Sequence, residues 1–157
     1  MKVVLEVVDP GEPAAQWAMG EYFDELARRF PTGFDPGDAL VEGARRYRAP
    51  TGAFVLVTVG DETAGCGALD LLDDVTAEVK RMWISPPHRG KGLGRRVLAR
   101  LEEEARRAGR TTVVLDTNGT LSEAIALYGR AGYVAVERYN DNPYAQHWFR
   151  KHLGPPG

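Results

Sequence analysis

The sequence predicts an α/β protein with a mixed β-sheet. Three observations carry this prediction: apolar residues alternate with a period of two in some segments and recur with helical spacing in others, glycines and prolines separate these segments, and the chain of 157 residues has the size of one domain. The segments run in the order strand, two helices, three strands, helix, strand, helix and two strands, which is an α/β layout.

The first half of the chain contains a strand, two helices and a hairpin. The predicted elements are a strand over 2–9, helices over about 13–30 and 38–47, and strands over 53–59 and 63–72. Trp17, Phe23 and Leu26 recur at helical spacing in the first helix, and Pro50 stops the second. A turn at 60–62 joins the two later strands, so they are expected to pair as an antiparallel hairpin.

The second half begins with the strand that matters most for function. The predicted elements are a strand over 76–84, a helix from Leu93 to about Ala108, a strand over 111–116, a helix from about 120 to 132, and strands over 133–137 and 145–153. Thr120 and Glu123 have the spacing of a capping box at the start of the last helix. We expect one domain over 1–153 and a disordered tail over 154–157.

Composition excludes several classes of function. The net charge of -2 recruits neither nucleic acid nor an anionic membrane, and no segment approaches the length of a membrane helix or resembles a signal peptide, so a cytoplasmic protein is expected. His88, His147 and His152 show no metal-ligand spacing, so no metal is expected. Cys66, between two glycines of the hairpin, is predicted to be a small buried residue and not a nucleophile.

A glycine-rich turn lies between the strand over 76–84 and the following helix. The first N–H groups of a helix have no partner inside it, the helix dipole favours negative charge there, and glycines let the backbone approach a diphosphate closely. Basic side chains add positive potential. The pattern therefore predicts a pyrophosphate ligand held by Arg89, Gly90, Lys91, Gly92, Leu93, Gly94 and Arg95.

The turn differs from the common phosphate loops. It lacks the spacing of a Walker loop and of the dinucleotide fingerprint, and reads Arg-Gly-x-Gly-x-Gly after Ile84-Ser85-Pro86. Downstream, Asn118 is followed by the run Ala-Ile-Ala-Leu-Tyr-Gly-Arg-Ala-Gly-Tyr over 124–133. In this order the two motifs resemble those of the GNAT superfamily of acyl-CoA N-acyltransferases. The resemblance covers about 78–133 and implies a GNAT fold, a mostly antiparallel mixed sheet of about seven strands flanked by four helices.

The resemblance implies an acetyl-CoA-dependent N-acetyltransferase that moves an acetyl group to a primary amine by direct attack on the thioester. Backbone N–H groups of the central strand, at Met82, Trp83 and Ile84, are expected to bind the acetyl carbonyl and pantetheine instead of a neighbouring strand. Asn118 is expected to bond cofactor amides or an ordered water. Acetyl-CoA is the only cofactor implied.

Two side chains are candidate catalytic groups. Tyr128, at the family's tyrosine position, is a neutral phenol that can protonate the departing thiolate, and it is expected to contact the cofactor. Glu78 lies four residues before Met82 and is expected on the same face of the strand, at a position where some relatives carry a glutamate base. A water chain is the alternative base, and Asp70 is a weaker rival.

The acceptor is expected to enter between the first two helices and the last two strands. The candidate lining residues are Trp17, Tyr22, Phe30, Phe34, Trp83, Tyr139, Asp141 and Tyr144. Their aromatic character favours a small amine. The alternatives are a protein N-terminus or lysine as acceptor, a non-catalytic acyl-CoA-binding module, and a nucleotide-binding protein. Relatives often dimerise, so a homodimer is a possible assembly, although no feature of the sequence reports one.

Overall fold

A single seven-stranded sheet organises the protein. The computed structural model describes residues 1–154, in which the strands are β1 Val3–Val7, β2 Gly52–Val59, β3 Glu62–Leu71, β4 Thr76–Ile84, β5 Thr112–Thr117, β6 Val134–Val136 and β7 His147–His152. Their spatial order is β1-β2-β3-β4-β5-β7-β6. All neighbours are antiparallel except β4 and β5. The predicted fold class is confirmed. The predicted tail over 154–157 lies outside the described residues, apart from Gly154.

Four helices cover the two faces of this sheet. They are α1 Pro13–Arg29, α2 Ala39–Arg46, α3 Leu93–Arg107 and α4 Ser122–Arg130. One apolar cluster joins α1 and α2 to the sheet, with Met19 and Phe54 fully buried, and a second joins α3 and α4 to the opposite face around Val97 and Leu101. None of the helices within residues 1–154 is long and apolar enough to cross a membrane.

Gly67 sets how closely α3 approaches the sheet. A Cβ atom at this position would lie 2.6 Å from Val97 Cγ1 and 2.8 Å from Leu101 Cδ1, distances that a packed side chain cannot adopt. Only a glycine therefore allows α3 to lie directly over β3. Because the glycine-rich turn leads into the start of α3, this packing also fixes the position of the turn beside β4.

The parallel pair of β4 and β5 is short. Pairing runs only from Thr76 with Thr112 to Glu78 with Val114, although both strands continue beyond this point. From Val79 to Ile84, the edge of β4 that faces β5 therefore has no ladder partner. Backbone N–H and C=O groups on such an edge are available to other partners. This gap between the two strands is where the functional cavities lie.

A β-bulge interrupts β4 within this open edge. The β3–β4 register shifts between Cys66 and Ala68, and the facing Arg81 has a φ of 59°, in the left-handed region. An extra residue in one strand reverses the alternation of side chains. Val79 and Met82 consequently pack into the same cluster against α3.

The bulge corrects one prediction from the sequence. Glu78 was expected to share a face of β4 with Met82, but Val79, its direct neighbour, points to the Met82 side, so Glu78 faces the opposite side. The prediction assumed an uninterrupted strand. An inserted residue of this kind leaves no mark in the hydrophobic pattern, because the flanking residues are buried on either face.

The predicted capping box is also wrong. The start of α4 has no side-chain cap. The Thr120 hydroxyl instead donates to Asn118 Oδ1 over 2.8 Å, and the Glu123 carboxylate pairs with Arg29 of α1. A different local hydrogen bond and a tertiary ion pair have replaced the reciprocal bonds that the spacing suggested.

Candidate active site

A large cleft opens beside the unpaired edge of β4. Its volume is about 630 Å³. The walls come from α1, the second half of β4, the glycine-rich turn with the start of α3, and α4. Its lining includes Met82, Trp83, Ile84, Arg89, Gly90, Gly92, Leu93, Gly94, Arg95 and Tyr128, which are ten of the residues predicted to bind the cofactor.

The glycine-rich turn has the backbone geometry of an anion site. Gly90 and Gly92 have φ values of 79° and 76°, which side chains rarely adopt, and Gly92 is the residue from which α3 starts. No side chain caps the first turn of α3. Its N–H groups are therefore left for a ligand. Gly94 lies in the first turn of α3 beside α4, where a Cβ atom would make an ordinary contact with Leu127 at 3.4 Å.

Two of the residues predicted to bind the cofactor do not line this cleft. Lys91 is exposed on the turn. Asn118 is buried at the end of β5, where its Nδ2 donates to the Tyr144 carbonyl over 2.7 Å and its Oδ1 accepts from the Thr120 N–H and hydroxyl. These bonds tie β5 to the loop before β7. Cofactor binding by Asn118 and Lys91 stays a prediction without a supporting contact.

An ion-pair network crosses the mouth of the cleft. Glu25 of α1 accepts from Arg89 of the turn, from Trp83 Nε1 over 3.1 Å and from Arg29 over 3.3 Å, and Arg29 also pairs with Glu123 of α4. Burial raises the pKa of Glu25, but the hydrogen bonds from Arg89 and Trp83 outweigh it and the net pKa is lowered. The sequence analysis missed this network, whose only signal was the i,i+4 spacing of Glu25 and Arg29.

A smaller cavity lies directly behind the cleft. Its volume is about 90 Å³. The lining residues come from α1, the loop after α1, β4, the end of β5, α4 and the loop before β7. Six residues line both cavities: Tyr22, Leu26, Met82, Leu121, Ala124 and Tyr128. The two cavities therefore adjoin.

Tyr128 lies at the junction of the two cavities. Its ring packs against Tyr133 and Phe149, at centroid distances of 6.0 and 6.1 Å, which holds it in place from the α3 side of the sheet. Burial, with smaller contributions from Tyr22 and Asp116, raises its pKa. Tyr22 shares the junction, and burial raises its pKa to about 12. Both phenols are thus neutral at physiological pH.

Of the two carboxylates near the small cavity, Asp116 lines it and Glu78 does not. Glu78 is buried and accepts from Tyr139 Oη over 2.5 Å and from Lys80 Nζ over 3.3 Å, but it does not line the cavity. Asp116 lines the cavity and accepts from Asn140 Nδ2 over 2.6 Å and from Asn142 Nδ2 over 3.2 Å.

Asn140 links these two carboxylates, because its amide also lies 3.4 Å from Glu78 Oε2. The sequence analysis missed Asp116. The sequence feature that could have identified Asp116 is its position as a polar residue at the carboxyl end of a buried strand, beside the strand that carries Glu78. Asp70, the weaker rival, pairs with Arg46 and does not line the cavity.

Arg81 was missed for a different reason. Arg81 lines the small cavity, and its guanidinium lies over the rings of Phe23 and Tyr47, at 5.1 and 5.9 Å from their centroids. Its Nε atom is buried and has no hydrogen-bond partner within residues 1–154. Only the bulge turns this side chain into the cavity, so no sequence pattern could have found it.

The predicted acceptor residues divide into two groups. Tyr22, Phe30, Phe34 and Tyr144 line the small cavity, whereas Trp17, Trp83, Tyr139 and Asp141 do not. The rings of Phe34 and Tyr144 lie 4.6 Å apart, and Tyr144 Oη accepts from the Asp35 N–H over 3.2 Å. These contacts close the loop after α1 onto the loop before β7 over the cavity.

Cys66 is buried next to the bulge. Its thiol donates to the Arg81 carbonyl over 3.2 Å, and burial raises its pKa to about 12. A thiol with such a pKa is a poor nucleophile. Its position supports a structural role at the bulge.

These features define a protein with two adjoining cavities, a large cleft at the uncapped start of α3 and a small cavity lined by polar and aromatic side chains. Comparison with known proteins agrees with this class. The family model of the acetyltransferase (GNAT) family matches residues 16–133, which is more than half of the chain. The chain therefore belongs to this family.

The first curated relatives match over roughly three fifths of this chain and of their own length. An IAA acetyltransferase of Azospirillum brasilense is 38% identical over 92 residues, which are 58% of this chain and 59% of that protein. The uncharacterized N-acetyltransferase YsnE of Bacillus subtilis is 37% identical over 101 residues, 63% of this chain and 67% of that protein. A GNAT family acetyltransferase from Elizabethkingia anophelis, solved with acetyl-CoA bound, shares the fold with a TM-score of 0.69 at 17% identity, over 96% of this chain and 98% of that one.

Proposed function

We propose that this protein transfers the acetyl group of acetyl-CoA to the amine of a small molecule. The observation that carries the proposal is that Tyr128 lines both cavities, so that one phenol reaches the boundary where two ligands would meet. A transfer reaction needs its two substrates in contact, with a proton donor beside the leaving group.

The large cleft fits acetyl-CoA. The glycine-rich turn and the free N–H groups at the start of α3 suit the diphosphate, and Arg95 and Arg130 line the cleft as additional cations. The open edge of β4 offers backbone groups to the amides of the pantetheine arm. An N–H on this edge can also stabilise the negative charge that develops on the thioester carbonyl oxygen during attack. The solved relative with acetyl-CoA bound supports the same ligand here.

In this proposal Tyr128 protonates the thiolate that leaves. The amine nitrogen forms a bond to the acetyl carbon, the carbon–sulfur bond breaks, and the thiolate takes a proton from the phenol. Burial, which raises the pKa of Tyr128, keeps the phenol in its neutral, proton-bearing form before the reaction. Tyr22, which shares the junction, is the alternative donor.

Asp116 is the favoured base. An amine enters as an ammonium and must lose a proton before it attacks, so the base has to reach the acceptor. Asp116 lines the small cavity, whereas Glu78 is turned away by the bulge and bound to Tyr139 and Lys80. Glu78 then acts on the acceptor only through water, or serves to position Asn140 beside Asp116.

The size of the small cavity supports a small acceptor. Its volume of about 90 Å³ corresponds to several water molecules, and the contacts of Tyr144 with Phe34 and Asp35 cover it. A lysine or N-terminus of a protein would need an open groove. A module that only binds acyl-CoA would have no use for a second, polar cavity at Tyr128.

The test is thermal unfolding with and without acetyl-CoA, with ATP and NAD as controls. A ligand that binds only the folded state raises the melting temperature, and we expect a rise with acetyl-CoA alone. Release of free thiol in the presence of amines then measures turnover. A rise with ATP or NAD alone would contradict the proposal, and binding of acetyl-CoA without thiol release for any amine would indicate the non-catalytic module.

A further inference from the structure

The small cavity contains one cation and one anion that lack ionic partners. Arg81 takes part in no ion pair within residues 1–154, and its buried Nε has no hydrogen-bond partner. Asp116 is held by two neutral amides and forms no ion pair with any other described residue. Lys80, the other cation of the cavity, is already paired with Glu78. Arg81 and Asp116 do not pair with each other.

A charge that lines a cavity without a partner is unusual. Burying an unpaired ion costs free energy, and most such groups in proteins find a counter-ion. The aromatic faces of Phe23 and Tyr47 compensate Arg81 in part, because a ring attracts a cation placed over it. They hold the guanidinium in place and leave its N–H groups without an anion.

The backbone at Arg81 points to the same conclusion. A φ of 59° is an uncommon conformation for a residue with a side chain, and it occurs here at the residue that the bulge inserts. This conformation turns Arg81 toward α1 and the cavity. Strained residues of this kind are concentrated at ligand sites.

We propose that the acceptor is an amino acid whose carboxylate binds Arg81 and whose ammonium binds Asp116. The inference rests on the proposed acetyl transfer and names the class of its acceptor. A zwitterion is the small molecule that supplies one anion and one cation to a cavity with two unpaired charges. The planar guanidinium matches the two oxygens of a carboxylate, and the same Asp116 contact places the amine beside the base.

The side chain of this amino acid is expected to be small or apolar. Phe30, Phe34 and Tyr144 form an aromatic part of the cavity wall, with ring centroids 4.6 to 5.9 Å apart. These rings offer no second charge to an acidic or basic side chain. A small volume further disfavours long side chains.

The proposal is tested by measuring ligand binding to this chain. The ligands are L-alanine, L-leucine and L-phenylalanine, and the binding of each is compared with that of its carboxamide. The carboxamide keeps the ammonium and the side chain but removes the negative charge. We expect at least one of the acids to raise the melting temperature with CoA present, and to bind at least about tenfold more tightly than its amide, the size of one charge-assisted hydrogen bond. Equal binding of acid and amide, or no binding of any acid, overturns the proposal.

Three variants separate the role of Arg81 from a general loss of stability. Arg81→Met should remove the preference for acid over amide, and Arg81→Lys, which keeps the charge but not the planar group, should retain part of it. Arg45→Met, on the exposed surface of α2, removes the same charge elsewhere and should leave the preference unchanged. A preference that survives in folded Arg81→Met contradicts the assignment.

These binding and activity measurements also distinguish failure of the amino-acid site from failure of the acetyl transfer. Acid-specific binding without any effect of acetyl-CoA would keep the amino-acid site and refute the acetyl transfer. Acetylation of the carboxamides as fast as the acids would keep the acetyl transfer and refute the amino-acid site.

Discussion

The two cavities of this protein are built in opposite ways. The large cleft is formed mainly by consecutive residues, the open edge of β4 and the turn into α3, and much of its chemistry is backbone chemistry. The small cavity is formed by residues from six separate segments, and the charges in it that form no ion pair among the described residues come from Arg81 and Asp116. The first design suits a ligand shared by a whole family, and the second suits an acceptor that differs between members.

The difference has a physical cause. A backbone N–H is present in every residue, so a turn that binds a diphosphate depends on glycine conformation and tolerates change elsewhere. Recognition of a particular small molecule needs side chains of defined charge and shape at defined distances. Variants on the two sides should accordingly fail in different ways, by loss of cofactor binding on one side and by a changed acceptor or pH dependence on the other.

The largest expected effect is on the cleft side. Gly92→Glu places a side chain and a negative charge at a position with a φ of 76°, where the diphosphate is proposed to bind. We expect the rise in melting temperature with acetyl-CoA to disappear. Gly109→Glu is the matched control, because Gly109 ends the same helix with a φ of 78° and equally open surroundings. Both variants lose some stability, but only the first should lose binding. Retained binding would mean that the turn is not the diphosphate site.

At the junction, Tyr128→Phe removes the proposed proton donor. We expect kcat to fall about 10²-fold with little change in the Kd of acetyl-CoA, the lower end of the range for general acid catalysis. Steady-state thiol release measures it. Tyr133→Phe is the control, since its hydroxyl donates to Glu102 over 2.9 Å, away from both cavities. A wild-type rate in Tyr128→Phe together with a slow Tyr22→Phe would assign the role to Tyr22.

On the acceptor side, Asp116→Asn should slow the reaction about tenfold near neutral pH, the size of one hydrogen bond to a charged group. The loss should shrink as the pH rises, because the free amine then needs neither base nor anion. Glu78→Gln removes a carboxylate of the same network that does not line the cavity. The pH–rate profiles of the two variants decide whether Asp116 or Glu78 is the base. A larger effect of Glu78→Gln would assign this role to Glu78.

The smallest expected effect concerns the ion pairs at the mouth of the cleft. The hydrogen bond from Arg29 lowers the pKa of Glu123 from 4.5 to about 2. A carboxyl group with a lowered pKa stabilises the fold above its ordinary pKa, and this contribution is lost as the pH falls from 4.5 toward 2. Glu123→Gln should therefore flatten the fall in melting temperature over this range. The change is small because the Glu123 side chain is 61% exposed. An unchanged slope would show that the pair is not formed in solution.

Most of the fold and the cofactor side of the site were predictable. The strands and helices follow from local periodicity, and both β4 and α3 begin at the predicted residues. The glycine-rich turn could be recognised from its own consecutive residues. Tyr128 was found through the motif around it, and it lines the cleft as expected.

The acceptor side could not be predicted to the same depth. Asp116 and Arg81 become cavity residues only because β4 and β5 stop pairing after Glu78 and because one residue is inserted at the bulge. Neither event is visible in the spacing of apolar residues. The bulge also removed Glu78 from the face on which a regular strand would have placed it.

The sequence by itself determined the order of elements, the class of fold and the position of the glycine-rich turn, because each depends on interactions between residues close along the chain. Only the tertiary structure decided which charges meet in the small cavity, since Arg81 and Asp116 are brought there by strand register and by loops packed from distant segments.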